Sequence, residues 1–455
     1  MSGSSAAAAV VRREASAARR RALEVLLDVR AGARADESLD RRGRDLGRRD
    51  RAFVMELAYG AIRWRGRIGH YLDLLLDRGL ASLSPEVVSI LELGAYQILF
   101  LDRVPVWSAV DESVRLAQAL PRPTSAWAPG LVNGVLRNLA RRSNDLPLPG
   151  DDEPTRRLAI LHSHPVWMVE RWIERLGVEA TAALLERNNR TPSLHLAVDR
   201  RKTTANEVLE ESRRAGVQAR IHPAHPDAVV VEGGVRPEEL PGWDAGRIWV
   251  QDAGAQWVTA LADPPAGRPF LDACAAPGGK LIALLVRHPS ARAVAIDRDP
   301  ARLARVLENL DRMALDRAWP VAADARALPT RATFPLVVVD APCTGTGVLG
   351  RRPDARWRRE PADPVRFAEY QLGLLEALAD RVEPGGILLY STCSLEPEEN
   401  VGVVEAFLSR AHDFQVDPVG DRIPAALRDG PWLTTRPWEA ELDGMFAARL
   451  VRGPA

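Results

Sequence analysis

The sequence contains almost no lysine. Only Lys202 and Lys280 are lysines, and the other 59 basic residues are arginines, an excess that we attribute chiefly to a GC-rich coding sequence. The 61 basic residues are matched by 61 acidic ones, so a uniformly basic nucleic-acid-binding surface is excluded. Residues 1–150 nevertheless hold 23 arginines against 17 acids, which leaves room for a local basic face.

Cysteines and long apolar runs are also scarce. Cys274, Cys343 and Cys393 are odd in number and widely spaced, which argues against a disulfide framework. No Cys or His cluster has metal-ligand spacing, so we expect no metal site. No apolar run approaches the roughly 18 residues of a membrane span, and the start lacks the order of a secretory signal. These absences favour a cytoplasmic protein, with residues 1–15 as a flexible tail.

The length of 455 residues suggests about three domains. Residues 16–145 are predicted to form an all-α domain, because apolar residues recur with helical spacing. We expect Asp50 and Ser84 to be N-caps in this domain. Residues 146–165, rich in Pro, Asp and Gly, are predicted to be a linker. The helices are predicted at 22–30, 50–64, 69–79, 84–101, 109–120 and 130–142.

In the rest of the chain, the pattern of apolar residues changes twice. Residues 166–252 combine alternating β-branched runs with helices, which predicts a small α+β domain. Residues 253–455 alternate apolar strands with helices, which predicts an α/β Rossmann-like domain with a doubly wound parallel sheet. In such a sheet, ligands bind outside the carboxyl ends of the strands. The strands of this sheet are predicted at 269–273, 292–297, 320–324, 335–342 and 385–392.

A glycine turn follows the first of these strands, in the segment DACAAPGGK (272–280). It matches neither GxGxxG nor GxxxxGK[ST], so a dinucleotide or a triphosphate is disfavoured. The next strand ends in Asp297, where a carboxylate accepts hydrogen bonds from ribose hydroxyls. Asp324 ends the third strand, in a position suited to an adenine. A nucleoside without phosphates, such as S-adenosylmethionine, fits this set, although an ordinary strand-to-helix turn remains the alternative.

Two cysteines lie at the ends of neighbouring predicted strands. Cys343 follows Asp340 in DAPCTGTGVL, and Cys393 lies in YSTCSLEPEEN. A lone cysteine is usually a small buried apolar residue, but two at polar strand ends indicate chemistry. A thiolate that adds to C6 of a pyrimidine makes C5 nucleophilic toward a methyl donor. Asp340 is placed to stabilise charge at N3, and the spacing alone does not say which cysteine attacks.

These three motifs resemble the signature motifs of the RNA cytosine-C5 methyltransferases of the Sun family. The segments LELGAYQILFLDRVP (91–105) and GLVNGVLRN (130–138) resemble the NusB-type RNA-binding domain. Their combination is characteristic of family members that act on bacterial small-subunit (16S) ribosomal RNA. The resemblance covers nearly the whole chain after the first fifteen residues.

The resemblance implies a role for each motif residue. Cys393 matches the family nucleophile, and Cys343 matches the cysteine that resolves the adduct. Asp340 matches an acid that faces both the donor and the base. The remaining matches are to residues that bind S-adenosylmethionine: Cys274, Ala275, Ala276, Pro277, Gly278, Gly279, Lys280, Asp297 and Asp324.

The expected partner is RNA, with the target cytosine unstacked or flipped into the pocket. The segment GRRPDARWRR (350–359) is predicted to grip phosphates while Trp357 stacks on a base, and residues 41–51 are predicted to be a second basic patch. Nothing in the sequence demands more than a monomer. A transfer-RNA substrate stays open, and so does a binding-only RNA or antitermination factor, although two strand-end thiols argue against the latter.

Overall fold

A computed structural model describes residues 14–143, 145–150, 152–328 and 330–454. Residues 1–13 of the predicted tail therefore lie outside the described residues. The chain divides into two compact units. The first comprises the residues up to Asn189 together with Arg352–Arg358, and the second comprises Arg190–Arg351 and Arg359 onward. Over the described ranges, no helix is long and apolar enough to cross a membrane.

The first unit is helical. Gly177, with φ of 79°, interrupts its last long helix, and the six predicted helices are confirmed with shifted ends. The described helices are α1 Ala17–Arg30, α2 Ala35–Arg42, α3 Arg48–Arg63, α4 Arg65–Asp73, α5 Pro85–Phe100, α6 Val106–Gln118, α7 Thr124–Arg142, α8 Pro154–Leu161 and α9 Val166–Asn189.

Helix ends and small residues decide how these helices pack. Ser84 occupies the predicted N-cap of α5, ahead of Pro85 at the first helical position. The prediction for Asp50 is wrong, because α3 begins at Arg48 and Asp50 lies in its first turn. A Cβ added at Gly60 would lie 1.9 Å from Cζ of Tyr96. Glycine therefore permits the close approach of α3 to α5.

A short segment from far along the chain, Arg352–Arg358, belongs to this helical unit. The guanidinium of Arg356 is fully buried, which lowers its pKa, and the indole Nε1 of Trp357 donates to the carbonyl of Ile62 at 2.7 Å. The prediction that Arg356 grips phosphates is therefore wrong, and the half-buried Trp357 is anchored through its indole nitrogen. Arg356 donates to the backbone carbonyls of Arg63, Ser163 and Asn188.

The second unit begins with a small antiparallel sheet of strand order β2-β3-β1-β4. Its strands are β1 Leu194–Val198, β2 Ala219–His222, β3 His225–Val231 and β4 Ile248–Val250. Helix α10 (Ala205–Arg214) starts with a capping box, in which Thr204 and Glu207 exchange hydrogen bonds. Lys202 Nζ donates to the carbonyls of Gly246 and Met313, each at 3.1 Å.

A larger mixed sheet follows, in the order β11-β12-β13-β9-β8-β5-β6-β7, with β10 paired to β13. The run β9-β8-β5-β6-β7 is parallel, so the Rossmann-like prediction is confirmed. The antiparallel strands beyond β9 were not predicted. The strands are β5 Pro269–Asp272, β6 Arg292–Asp297, β7 Ala318–Ala322, β8 Phe334–Asp340, β9 Val382–Thr392, β10 Phe414–Val416, β11 Arg428–Asp429, β12 Trp432–Thr434 and β13 Phe446–Arg452.

Helices α12 Gly279–Arg287, α13 Pro300–Arg312 and α15 Asp363–Ala379 lie between parallel strands in the chain. Helix α11 Ala253–Thr259 precedes β5, α16 Val401–Leu408 follows β9, and α14 Ala355–Arg358 belongs to the first unit. Because the five strands run in parallel, their carboxyl ends share one edge of the sheet. The polar motifs of the sequence all follow those ends.

Candidate active site

The site is built from consecutive strand ends of the second unit. Asp272, Asp297 and Asp340 are the last residues of β5, β6 and β8. Asp324 follows β7 by two residues, and Cys393 comes directly after β9. The strand register pairs Asp340 with Ser391, which brings the two cysteine motifs side by side.

The glycine turn joins β5 to α12 through a left-handed residue. Gly278 has φ of 104°, a conformation that favours glycine, and Gly279 starts the helix. The N–H of Ala276 donates to Oδ2 of Asp297 at 3.2 Å, and Arg302 donates to the Ala276 carbonyl at 2.8 Å. The second strand end thus fixes the loop through its backbone. A loop of this kind at a helix N-terminus fits the S-adenosylmethionine cradle that the sequence predicts.

Asp324 lies at the rim of the site. Its half-buried carboxylate pairs with Arg326 at 2.9 Å, and that bond lowers its pKa. The Arg326 guanidinium lies 4.6 Å from the ring centroid of Tyr370. The structure therefore places Asp324 at the predicted edge, already held by a basic neighbour.

A carboxylate–lysine cluster occupies the centre. Lys280 Nζ lies 2.7 Å from Oδ2 of Asp340, whose Oδ1 accepts from the Ser391 hydroxyl at 3.0 Å. Asp272 is buried beside this pair, and the backbone N–H of Cys274 points to its carboxyl group. Burial, followed by the charge of Asp340, raises the pKa of Asp272 to about 7. Sequence reasoning assigned Asp272 no role, although it opens the first motif.

The two cysteines that the sequence predicts to meet do so. Cys343 Sγ and Cys393 Sγ are 3.2 Å apart, and both side chains are half-buried and free of disulfides. The sulfur–sulfur hydrogen bond and burial raise the pKa of Cys343 well above its usual value. Burial and the Asp272 charge also raise the pKa of Cys274. The environment of Cys343 therefore favours its protonated form.

Backbone contacts hold the two cysteine loops together. Arg359 donates to the carbonyls of Thr344 at 2.8 Å and Cys343 at 3.2 Å. The N–H of Gly347 donates to the Cys393 carbonyl at 3.0 Å. A Cβ at Gly347 would lie 2.2 Å from the carbonyl oxygen of Gly444, so that only glycine fits there without displacement. Arg359 was predicted to bind RNA, and here it fixes the loop instead.

Two other arginines of the 350–359 segment form ion pairs within their own units, whereas Arg352 is exposed and its contact with RNA stays a prediction. Arg351 pairs with Asp443 at 2.7 Å and with Asp252 at 3.1 Å. Arg358 pairs with Asp354 at 2.9 Å. The second basic patch, residues 41–51, has exposed arginines and stays a prediction. Within the described ranges, no cluster of His, Cys, Asp or Glu is arranged to hold a metal ion.

Three family models match successive parts of the chain. The model for the NusB family matches residues 16–141. A model described as RsmF/B-like methyltransferase, ferredoxin-like domain, matches residues 164–237. The model for the 16S rRNA methyltransferase RsmB/F matches residues 258–451, the region that contains the strand-end motifs.

Full-length relatives share the same name. The ribosomal RNA small subunit methyltransferase B of Cronobacter sakazakii is 34% identical over 407 residues, covering 89% of this chain and 91% of that protein. The protein of the same name from Erwinia tasmaniensis is 35% identical, covering 90% of this chain and 92% of the relative. The relatives are therefore matched over almost their whole length.

Solved structures show the same fold. The crystal structure of PH0851 superposes with a TM-score of 0.81 at 23% identity, covering 96% of this chain and all of the other. The crystal structure of NSun6 from Pyrococcus horikoshii with SFG gives a TM-score of 0.57 at 19% identity, covering 65% of this chain and all of that one. At these identities the likeness concerns the fold alone.

Proposed function

The chain belongs to the family of the ribosomal RNA small subunit methyltransferase B, and from this premise we propose that it methylates carbon 5 of a cytosine in 16S ribosomal RNA. It is a methyltransferase that depends on S-adenosylmethionine. The observation that carries the proposal is the pair of thiols, 3.2 Å apart, beside the Lys280–Asp340 ion pair. Methylation of a nitrogen or an oxygen would need neither thiol.

We assign cofactor binding to the turn between β5 and α12 and to three strand-end acids. When bound, S-adenosylmethionine supplies the methyl group. The backbone of the turn is held open by Gly278, and the Ala276 N–H is held by Asp297. The proposed cofactor-binding residues are Cys274, Ala275, Ala276, Pro277, Gly278, Gly279, Lys280, Asp297, Asp324 and Asp340.

We assign the two steps of covalent catalysis to different cysteines. The Cys393 thiolate adds to C6 of the cytosine, and the resulting electron-rich C5 takes the methyl group. A base then takes the C5 proton, the electron pair of that C–H bond re-forms the C5–C6 double bond, and the Cys393 sulfur leaves C6 as a thiolate, a release for which Cys343 is needed. The raised pKa of Cys343 supports this division, because a thiol that keeps its proton is not the group that attacks C6. Asp340 faces N3 of the base in this scheme.

The rest of the proposal concerns organisation and partners. We infer an RNA-binding helical domain at 16–145, a linker at 146–165, an RNA-positioning domain at 166–252 and a catalytic domain at 253–455. The enzyme would act as a monomer in the cytoplasm, where ribosomal RNA is processed. A ribosomal substrate is favoured over transfer RNA because the helical region matches the NusB family and the full-length relatives are named for ribosomal RNA.

A covalent trap tests the reaction. The Cys343→Ala protein, incubated with S-adenosylmethionine and total RNA, is expected to accumulate a protein–RNA adduct that resists denaturation. The double variant Cys343→Ala/Cys393→Ala should give none. Sequencing the captured RNA would identify the target cytosine and would distinguish ribosomal from transfer RNA.

Three results would change the proposal. An adduct formed by the Cys393→Ala protein through Cys343 would reverse the two roles. Methyl transfer by the unmodified protein without any adduct in the Cys343→Ala protein would contradict the two-cysteine scheme. If free RNA gives neither adduct nor transfer, immature small-subunit particles are the next substrate, and failure there would favour a binding-only protein.

A further inference from the structure

A single buried carboxylate lies between the two cysteine loops. Glu399 is completely inaccessible to solvent, and it follows β9 in the same motif as Cys393. Burial raises its pKa, and the hydrogen bonds that it accepts oppose that shift. Among the described residues no basic side chain forms an ion pair with it. Such a group is costly to bury, so its retention calls for an explanation beyond packing.

The donors to Glu399 come from residues next to the cysteines. The N–H of Thr344 donates to Oε2 at 2.8 Å, and the Thr344 hydroxyl donates to Oε1. The Ser394 hydroxyl donates to Oε1 at 2.5 Å. Thr344 directly follows Cys343, and Ser394 directly follows Cys393. One carboxylate therefore joins both loops at the residue after each sulfur.

A glutamine from α15 extends this network. Gln371 Nε2 lies 3.0 Å from Oε2 of Glu399 and 2.9 Å from the carbonyl of Pro342, the residue before Cys343. The Tyr390 hydroxyl, on β9, lies 3.0 Å from Oε1 of Gln371. Hydrogen bonds thus hold the Cys343 loop at the residues before and after Cys343. The partners are Gln371 of α15 and Glu399, which lies in the same segment as Cys393.

We propose that Glu399 is a positioning residue that fixes the distance between the Cys343 and Cys393 sulfurs, so that both reach one bound base. This inference rests on the proposed two-cysteine reaction. Glu399 does not touch the reacting atoms itself. It acts through Thr344 and Ser394, and an amide in its place would turn one accepting oxygen into a donor facing hydroxyl groups.

The first test needs no RNA. Oxidation by diamide removes one proton and one electron from each thiol, forms the Cys343–Cys393 disulfide and reduces the diazene to a hydrazine. The sulfurs need to close only from 3.2 Å to about 2 Å, so the unmodified protein should form this disulfide quickly. Glu399→Gln should slow its formation by about tenfold, as effective concentration falls with misplacement. The matched control is Glu405→Gln, at an exposed glutamate in α16, which should leave the rate unchanged.

The second test measures catalysis in the Cys343→Ala background. Adding Glu399→Gln should slow adduct formation about tenfold, while the Kd values for S-adenosylmethionine and RNA stay unchanged. A purely structural defect would instead weaken binding and lower the midpoint of thermal unfolding. Should Glu399→Gln fail to fold, Ser394→Ala removes one of the donors and should slow both reactions by a smaller factor.

The two proposals fail in different ways. Absence of an adduct with Cys343→Ala, on a substrate that the unmodified protein methylates, would remove the covalent scheme, and the disulfide rate would still decide whether Glu399 sets the sulfur distance. Equal disulfide rates in the unmodified, Glu399→Gln and Glu405→Gln proteins would overturn the inference about Glu399. Normal disulfide formation together with weakened cofactor binding would also overturn it.

Discussion

At the scale of single residues, Asp272 is the most strongly perturbed acid of the candidate site. It ends β5, is buried beside the Asp340 carboxylate and titrates with a pKa of about 7. An aspartate in an unfolded chain titrates near about 4. At a pH between these two pKa values, Asp272 is protonated in the folded protein and ionised in the unfolded chain. Stability from this group is thus present at low pH and declines as the pH rises through about 7.

Replacing Asp272 by asparagine should remove this pH dependence. Between about pH 4 and pH 7, the unmodified protein should lose up to about 4 kcal/mol in its free energy of unfolding relative to Asp272→Asn. Urea unfolding of both proteins at several pH values in this range measures the difference. A difference that is constant across the range would show that Asp272 keeps an ordinary pKa.

Sequence reasoning predicted which strand-end residues share one edge of the sheet, and it failed where burial decides. Strand-end motifs were enough to predict that Cys343 and Cys393 meet, because parallel strands deliver their ends to one edge. No local pattern indicated that Arg356 is buried, since an arginine that donates to backbone carbonyls has the same neighbours in sequence as an exposed one. The hydrogen bonds of Glu399 were missed for a similar reason, because Thr344 and Gln371 are distant from it in the sequence.

At the scale of elements, the two cysteine loops depend on a close approach of backbones. The segment after Cys343 touches Gly444, and the N–H of Gly444 donates to the Gly347 carbonyl at 2.8 Å. Neither Gly347 nor Gly444 has room for a side chain where these two backbone segments cross. The loop geometry is therefore set by two glycines as well as by hydrogen bonds.

Gly347→Ala should displace the Cys343 loop from the backbone of Gly444. The added Cβ would lie 2.2 Å from the Gly444 oxygen, so we expect a loss of about 1–3 kcal/mol in the free energy of unfolding and a large loss of methyl transfer. Gly373→Ala is the matched control, because nothing lies within 4 Å of a Cβ at that position in α15. It should be neutral or slightly stabilising, by about 0.5–1 kcal/mol. Equal activity of both variants would contradict this account of the crossing.

The sequence was least informative about short or highly charged elements. Helix α2, with the sequence ADESLDRR, lacks the apolar spacing by which helices are predicted. Strands β10, β11 and β12 have only three, two and three residues, too few to show alternation. Strands β10 and β12 pair with β13, and β11 pairs with β12, so these strands form through tertiary pairing.

At the scale of the whole molecule, charge is divided unevenly along a chain that is neutral overall. The excess of arginine over acid within residues 1–150 lies on the part that matches the NusB family. Counterion release makes RNA binding by such a region sensitive to salt. Neutrality of the whole protein is therefore compatible with a strongly salt-dependent contact.

Removing two exposed arginines of the 41–51 patch should weaken that contact. Arg44→Gln/Arg49→Gln is expected to lower RNA affinity at low salt and to reduce the slope of log K against log salt by about 1 to 2. Arg366→Gln/Arg410→Gln, at exposed arginines of the second unit, provides the control with the same change in charge. An equal effect of both pairs would show that the patch has no special role. Filter-binding titrations over a range of salt supply the slopes.

The order in which the ribosome makes this chain gives Arg352–Arg358 another consequence. The helical unit is synthesised first, yet it includes this segment, which emerges only after residues 190–351. Until then the carbonyls that Arg356 satisfies lack their donor, and the indole of Trp357 is missing from its place beside Ile62. The helical unit therefore remains incomplete during translation until Arg352–Arg358 has been synthesised. Completion of the helical unit thus depends on the synthesis of a segment that lies between the Cys343 loop and Arg359.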